Sequence, residues 1–570
     1  MNAVPPKTER NQSAQVDKSG KPTFEWTLTG SSLTDTVRLI AGPFNVLPVI
    51  FVPGIMGSNL KAKAGGTPVW RLDTGVGGIP WGMLKGFATK GSGPRQKLLH
   101  PDRTVVDDGG KLPKNGKYSQ STYRERGWGE VGEGSYHQYL LWLDDQLNPA
   151  ERNPALWQEY FQAEATISAP SKAGDKPKLF PGIKMGMPDE PFGAEKAPFQ
   201  SITTDDLMAR AKFLMPVYAC GYNWLDSNAM AALRLQDRIL KLIKSYNKGQ
   251  YRCDQVVLVT HSMGGLVARA CAQIDGMAEK IAGIVHGVMP ATGAAVAYRR
   301  CKVGMRDEDF GAGLVIGSTG QEVTAVFAQA PGALQLLPSQ TYASEWLKVL
   351  DEKGQNQLSL PKSGKSSYSA IYRERKQWWG LVNEAWLSPR EGEPILWEEF
   401  LNNLDKAEKF HQGLIAKFHP ATYVFYGADK KQKSFEKVTW RMRQGIAPDK
   451  RQRQSPKDVT GLGHGALREE GGTPAYVGGK TEVIPSFGMG MASTYESSYW
   501  ELHCELQDGA GDGTVPCSSG ASPLAQGGGS IRQQFKLAGF GHEPAYHDLK
   551  AQRTTLYAIN KLAGIAKRPA

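Results

Sequence analysis

The stretch that most constrains the fold is Val256-Val257-Leu258-Val259, followed by Thr260-His261-Ser262-Met263-Gly264-Gly265 and then Leu266, Val267 and Ala270. Four aliphatic residues in a row suit a strand buried on both faces, and the spacing of Leu266, Val267 and Ala270 suits a helix. A strand that turns at once into a helix holds its turn residue in a cramped backbone conformation. It also needs small neighbours so that strand and helix pass close together, and Gly264 supplies one on the helix side. Such a turn exposes the hydroxyl of Ser262 above a sheet, beside a helix N-terminus that favours developing negative charge. The pattern is a nucleophile elbow in which Thr260 replaces the usual first glycine, which implies a slightly wider crossing.

The chain has 570 residues, 40% of them hydrophobic, with 65 glycines. This fits a loop-rich globular enzyme, either several domains or one core with long insertions. No apolar run approaches the ~18 residues a membrane-spanning helix needs. The N-terminus, Met1-Asn2-Ala3-Val4-Pro5-Pro6-Lys7, lacks the charged start and apolar centre of a secretory signal. The expectation is a chain made in the cytosol, with export by a route that needs no cleaved signal left open. Six cysteines (Cys220, Cys253, Cys271, Cys301, Cys504, Cys517) in so long a chain are no disulfide scaffold, and none has C-x-x-C spacing, so neither a metal nor a cofactor is expected. The net charge of +12 favours anionic partners such as phospholipid head groups. No interleaving of aromatic and basic residues points to nucleic acid.

Residues 1–25 read as a polar, mobile tail. A first core segment, 26–60, carries the strand Val46–Val52 and the turn Pro53-Gly54-Ile55-Met56-Gly57-Ser58-Asn59-Leu60. A glycine-rich turn after a buried strand leaves backbone N–H groups uncovered, able to donate to an oxyanion. From 61 to 210 core-strand character is lost, and the segment reads as an inserted cap. Within it, Gly127–Gly134 has no preceding strand and carries two glutamates, so it is no phosphate cradle. The core resumes over 211–290. There Phe213–Ala219 leads to Gly221-Tyr222-Asn223-Trp224 and to an amphipathic helix capped by Asp226 or Ser227, with Leu235, Ile239, Leu242, Ile243 and Tyr246 on one face. The elbow follows, then the strand Ile281–Val288. This alternation predicts a mostly parallel sheet with helices on both faces. Residues 291–420 read as a second, mainly helical insertion. In it Trp378, Trp379, Leu381, Val382 and Trp386 form an aromatic patch, taken as a satellite core rather than a lipid-facing lid. A core strand at 421–428 precedes a basic insertion, 429–505. Ten Lys/Arg stand against Glu436 and Asp449 between 430 and 457, a solvated loop with some attraction for anionic head groups.

The last segment, 506–570, holds Asp508-Gly509-Ala510-Gly511-Asp512-Gly513-Thr514-Val515-Pro516, then an edge strand Gln533–Ala538, then Gly539-Phe540-Gly541-His542-Glu543-Pro544. The order Ser, Asp, His is that of α/β-hydrolases. A serine hydroxyl is a poor nucleophile until a neutral imidazole takes its proton, and a buried carboxylate then holds that imidazole in the right tautomer. Asp508 and Asp512 are both candidates for the acid. His542 is preferred over His547, placed on the C-terminal helix, because catalytic side chains sit on loops at sheet ends. His261 adjoins the serine and points elsewhere.

Three blocks resemble the lipase branch of the α/β-hydrolases that includes lecithin–cholesterol acyltransferase, lysosomal phospholipase A and the GPI inositol-deacylases. They are Val52–Lys63, His261–Gly265 and Gly511–Pro516, in the family's order. Gly221-Tyr222-Asn223-Trp224 is similar to its tyrosine–tryptophan turn. The resemblance implies an α/β-hydrolase with large inserted caps. It maps the triad acid onto Asp512 and the oxyanion N–H groups onto Ile55 and Met263, with Ser262 as nucleophile and His542 as base. The implied activity is hydrolysis of carboxylic esters of membrane phospholipids, of the phospholipase A type, without a metal or cofactor. The size, the basic charge and the Gly541-His542-Glu543-Pro544-Ala545-Tyr546 ending also resemble bacterial type VI secretion lipase effectors. That implies an immunity protein and a secretion-system component as partners, and action on target-cell membranes. The alternatives are an esterase or thioesterase on a non-lipid acyl group, and a hydrolase-fold binding protein without turnover.

Overall fold

The computed structural model describes residues 45–71, 90–114, 116–148, 193–248, 251–305, 317–443, 459–462, 464 and 501–567, with the backbone of strands elsewhere. The tail read over 1–25, much of the first insertion and most of the basic run beyond 443 fall largely outside the described residues.

Six strands make the central sheet: β1 (Val49–Val52), β2 (Val217–Ala219), β3 (Val256–His261), β4 (Ile281–Gly287), β5 (Thr422–Gly427) and β6 (Ile531–Leu537). Their order is β2-β1-β3-β4-β5-β6, and every pairing is parallel. The first two strands are shorter than their apolar runs. Pro48 and Pro216 interrupt them at matching positions, and Asn45–Val46 pairs separately with Phe213–Leu214. Proline has no N–H for the ladder, but its carbonyl still accepts: Val257 N–H donates to Pro48 and Val49 N–H to Pro216. The chain leaves β1 toward β2 on one side and returns to β3 on the other. The carboxyl ends of β1 and β3 therefore flank a topological switch point, where α/β sheets form their crevice.

Alternate residues of each strand supply opposite faces. Val49 and Phe51, with Val257 and Val259, pack against the C-terminal helix Leu549–Ile565 and the helix Gln138–Leu147. Ile50 and Val52, with Val256 and Leu258, pack against the helices Asn228–Tyr246 and Gly264–Ala272. Ser227 caps the first of these, accepting from Ala229 N–H. Burial on both faces is what the unbroken aliphatic runs required.

The insertions have structure of their own. Leu347–Leu350 and Asn356–Leu360, inside the segment read as mainly helical, join Val438–Met442 and three strands between 466 and 504 in a second six-stranded sheet. Its core includes Trp346, Trp378 and Trp440, with Leu381 and Val382 also buried. Trp378, Trp379, Leu381 and Val382 of the aromatic patch are thus interior, and Trp386 is half-buried at its margin. Glu130, in the glycine-rich turn of the first insertion, is buried and paired with Arg234 and Arg238 of the helix Asn228–Tyr246. It also accepts from Gly221 N–H. This ties the insertion to the core.

Two predictions follow from this packing. A Cβ on Gly264 would fall on the carbonyl oxygens of Val52 and Pro53, so Gly264→Ala is expected to destabilise by about 2 kcal/mol or more, measured by urea unfolding. Separately, burial lowers the pKa of His286 to about 3, helped by Arg269 and His419, and that of His411 to about 4. Protonation therefore favours the unfolded chain, where both titrate near 6.5. Their contribution is complete above pH 6.5 and is lost as pH falls toward 4, each adding a slope of about 1.4 kcal/mol per pH unit. Unfolding midpoints from pH 7.5 to 4.5 should show this slope, and His411→Gln should flatten it by about one proton.

Candidate active site

The turn after β3 has the conformation its sequence demands. Ser262 has φ +52°, in the left-handed region that a β-to-α elbow forces on a non-glycine residue. Its N–H donates to Gly287 at the end of β4. Thr260, where the elbow pattern has glycine, is fully buried, and its hydroxyl lies 3.0 Å from Nδ1 of His286, its register partner on β4. The threonine is accommodated between strands.

Ser262 Oγ lies 2.8 Å from His542 Nε2, and His542 Nδ1 lies 2.8 Å from Asp512 Oδ2. Asp512 is 1% exposed, and its other oxygen accepts from the N–H groups of Thr514 (3.0 Å) and Val515 (2.7 Å). The Gly-Asp-Gly-Thr-Val turn thus holds the carboxylate by one oxygen and presents the other to the imidazole. Asp508 is elsewhere: it is exposed and accepts from Glu436 and Lys437 N–H. His547 is also apart, exposed at the end of a 3-10 turn ahead of the C-terminal helix rather than on that helix. The structure brings together Ser262, His542 and Asp512, and neither of the two rivals.

The loop after β1 runs beside the elbow. A Cβ on Gly54 would lie 2.9 Å from His261 Nδ1 and 3.1 Å from Ser262 Cβ, so only glycine allows this approach. Among the described residues, the N–H groups of Ile55 and Met263 have no acceptor within the protein. Both stand at segments that border Ser262, and the carbonyl of Gly54 is held by Gly57 N–H at 3.1 Å. A trans peptide points its N–H opposite its C=O, so that bond also sets the direction of Ile55 N–H.

Several groups hold this loop, of which the resemblance marks only the Tyr222-Asn223-Trp224 turn. Trp70 donates from Nε1 to the carbonyl of Met56 (2.6 Å), itself at φ +62°, and packs edge-on against Trp224 at 5.3 Å. Tyr222 donates its hydroxyl to the carbonyl of Pro53 (2.9 Å), and its N–H to Ser58 Oγ (3.0 Å). The Tyr222-Asn223-Trp224 turn is therefore a brace for the β1 loop. Tyr136 reaches the same loop from the first insertion. His261 turns away from the serine hydroxyl toward Tyr136 and the backbone of His542. The signal for Trp70 and Tyr136 was indirect: Gly54 and Gly57 announce that something packs close, without saying what.

The chain is similar to known proteins in two ways. Residues 223–304 match the PGAP1-like alpha/beta domain. The whole chain is similar to a solved structure described as the crystal structure of the Tle4-Tli4 complex, with a TM-score of 0.68 and 28% identity over 92% of this chain and 99% of that one. No curated protein matches the chain. The chain has the α/β-hydrolase fold, as the sheet order and these likenesses agree, and the resemblance to the GPI inositol-deacylase-like branch is borne out. Among the described residues, no helix is long and apolar enough to cross a membrane.

The contrast between the two acids yields a direct test. Asp512→Asn turns an amide toward His542 Nδ1 and favours the wrong tautomer, so kcat for an activated ester should fall by about 10³- to 10⁴-fold. Asp508→Asn should change kcat less than about twofold.

Proposed function

Given the α/β-hydrolase fold, we propose that this chain is a lipolytic serine hydrolase that cleaves carboxylic esters of membrane phospholipids, of the phospholipase A type. The observation that carries the reading is the unbroken line from Asp512 through His542 to Ser262, with 2.8 Å at each step. In the proposed reaction, His542 Nε2 takes the proton of Ser262 as Oγ attacks the ester carbonyl. Asp512 holds the proton on Nδ1 and stabilises the imidazolium. The carbonyl oxygen takes up negative charge between the N–H groups of Ile55 and Met263. His542 then protonates the departing alcohol, the lysolipid. Water then attacks the acyl carbon and gives its proton to His542, which returns it to Ser262 Oγ as the Oγ–acyl bond breaks and the fatty acid leaves.

Three observations support lipid as the substrate class: the resemblance of the three catalytic blocks to lipases, the net charge of +12, and the insertions that surround the β1 loop. The likeness to a Tle4-Tli4 complex across almost the full length of both chains supports a further part of the proposal. The chain acts as an exported antibacterial effector of the type VI lipase kind and is held in check by a dedicated partner protein.

The test incubates wild-type and Ser262→Ala protein with mixed phosphatidylethanolamine/phosphatidylglycerol vesicles and identifies products by mass spectrometry. Wild type should release free fatty acid and lysolipid, and Ser262→Ala should lose several orders of magnitude in kcat while keeping its unfolding midpoint. Near-wild-type release by Ser262→Ala would refute the serine mechanism. No lipid cleavage by a wild-type enzyme still labelled at Ser262 by a fluorophosphonate would refute the lipid substrate and leave a non-lipid esterase or thioesterase.

A further inference from the structure

We propose that Tyr136 and His261 are positioning residues that lock the oxyanion loop and the catalytic histidine into one hydrogen-bonded chain. The proposal rests on the reading that Ser262, His542 and Asp512 carry the reaction.

The chain has four members. Gly54 N–H lies 3.2 Å from Tyr136 Oη, Tyr136 Oη lies 3.0 Å from His261 Nδ1, and His261 Nε2 lies 2.9 Å from the carbonyl oxygen of His542. Its direction follows from the last link. A carbonyl only accepts, so His261 carries its proton on Nε2. Nδ1 is then the lone-pair nitrogen, and the Tyr136 hydroxyl must donate to it. That leaves the phenol oxygen to accept from Gly54 N–H. Each of the three bonds then runs in one direction, with Tyr136 and His261 each accepting one bond and donating the next. Tyr136 and His261 are each 3% exposed, so water does not compete for these bonds. The loop is shaped for the arrangement: a Cβ on Gly57 would stand 2.5 Å from Tyr136 Oη, and one on Gly54 would stand 2.9 Å from His261 Nδ1.

What the chain holds gives it a function beyond filling space. One end fixes the amide of Gly54, one residue before the N–H of Ile55. The other end fixes the backbone carbonyl of His542, whose side chain reaches Ser262 and Asp512. Tyr136 lies in the turn Glu133–His137 of the first insertion and His261 immediately precedes Ser262. The insertion thereby sets the separation between two parts of the site that the sheet alone leaves to loops. Displacements of about 1 Å at a reacting centre cost on the order of 10²-fold in rate.

A second Tyr–His–carbonyl chain provides a control. Tyr368 Oη lies 2.9 Å from His411 Nδ1, and His411 Nε2 lies 2.9 Å from the carbonyl oxygen of Gln335. It has the same tyrosine-to-histidine and histidine-to-carbonyl bonds, in the second insertion, with no triad residue at its ends.

The experiment compares Tyr136→Phe, Tyr368→Phe, Ser262→Ala and wild type for steady-state hydrolysis of a soluble activated ester, the rate of fluorophosphonate labelling at Ser262, and the urea unfolding midpoint. Tyr136→Phe should lower kcat and the labelling rate together by about 10- to 100-fold with KM within about twofold, whereas Tyr368→Phe should leave both rates within about twofold of wild type. A Tyr136→Phe enzyme with wild-type kcat, beside an inactive Ser262→Ala, overturns the positioning role and leaves the triad standing. An active Ser262→Ala overturns the triad reading and the proposal with it. If Tyr136→Phe does not fold, His261→Gln and His261→Leu decide. The glutamine keeps one donor and one acceptor and should retain more kcat than the leucine, and equal kcat in the two overturns the proposal.

Discussion

Everything at the site depends on how closely the backbone after β1 approaches the turn after β3. Gly264 brings the helix onto the carbonyls of Val52 and Pro53, and Gly54 brings the loop onto His261 and Ser262. Neither approach tolerates a Cβ. The sheet order makes the approach possible, because β1 and β3 are neighbours whose connections depart in opposite directions. Two backbone segments with free N–H groups then converge on one hydroxyl. The strain this requires is visible at Ser262 and at Met56, both at positive φ. A left-handed non-glycine residue persists only where its surroundings over-determine it: Gly287 at the end of β4 holds the N–H of Ser262, and Trp70 of the first insertion holds the carbonyl of Met56.

Those insertions are therefore more than decoration on a hydrolase core. Trp70, Glu130 and Tyr136 all lie between β1 and β2, and each fixes a group of the β1 loop or of the Gly221-Tyr222-Asn223-Trp224 turn. Trp70 and Tyr222 act on two carbonyls of the loop three residues apart, at Met56 and Pro53. A glycine-rich loop is by itself the most mobile kind of backbone. Held at four points by groups that are themselves buried, it becomes a fixed set of dipoles, and fixed dipoles stabilise developing charge without reorganising.

The legible part of the chain was the part whose physics is local. An unbroken aliphatic run, a cramped turn and a small residue on the helix side appear within fifteen residues, so the elbow could be read directly. The same holds for the Asp512 turn, where the carboxylate binds N–H groups two and three residues ahead. Choosing Asp512 over Asp508 needed resemblance, because both acids sit in the same glycine-rich loop and only the fold shows which one faces the histidine. Tyr136 was illegible for a different reason. It bonds Gly54 across 82 residues and His261 across 125, and nothing in its own neighbourhood distinguishes it from a core tyrosine. The second sheet was missed similarly: Leu347–Leu350 and Asn356–Leu360 are too short for their period to stand out from a helical surrounding, and their partners come from a basic stretch about ninety residues later.

His261 shows why placing a titratable group beside the triad is workable. Its ring centroid lies 5.3 Å from that of His542. Were both charged, their repulsion at an effective dielectric near 20 would be about 3 kcal/mol, directed against the imidazolium of the proposed reaction. Burial, reinforced by His542 itself, lowers the pKa of His261 to about 3, so it is neutral near pH 7. Neutrality has a structural consequence as well as an electrostatic one. Only a neutral imidazole has a lone pair for Tyr136 and a proton for the His542 carbonyl at once. The burial that removes the repulsion therefore also makes His261 a bridge between phenol and carbonyl. A lysine or arginine at 261 has no acceptor for the tyrosine, and an aliphatic residue has neither group, so histidine is suited to this position by its neutral form rather than by its capacity to ionise.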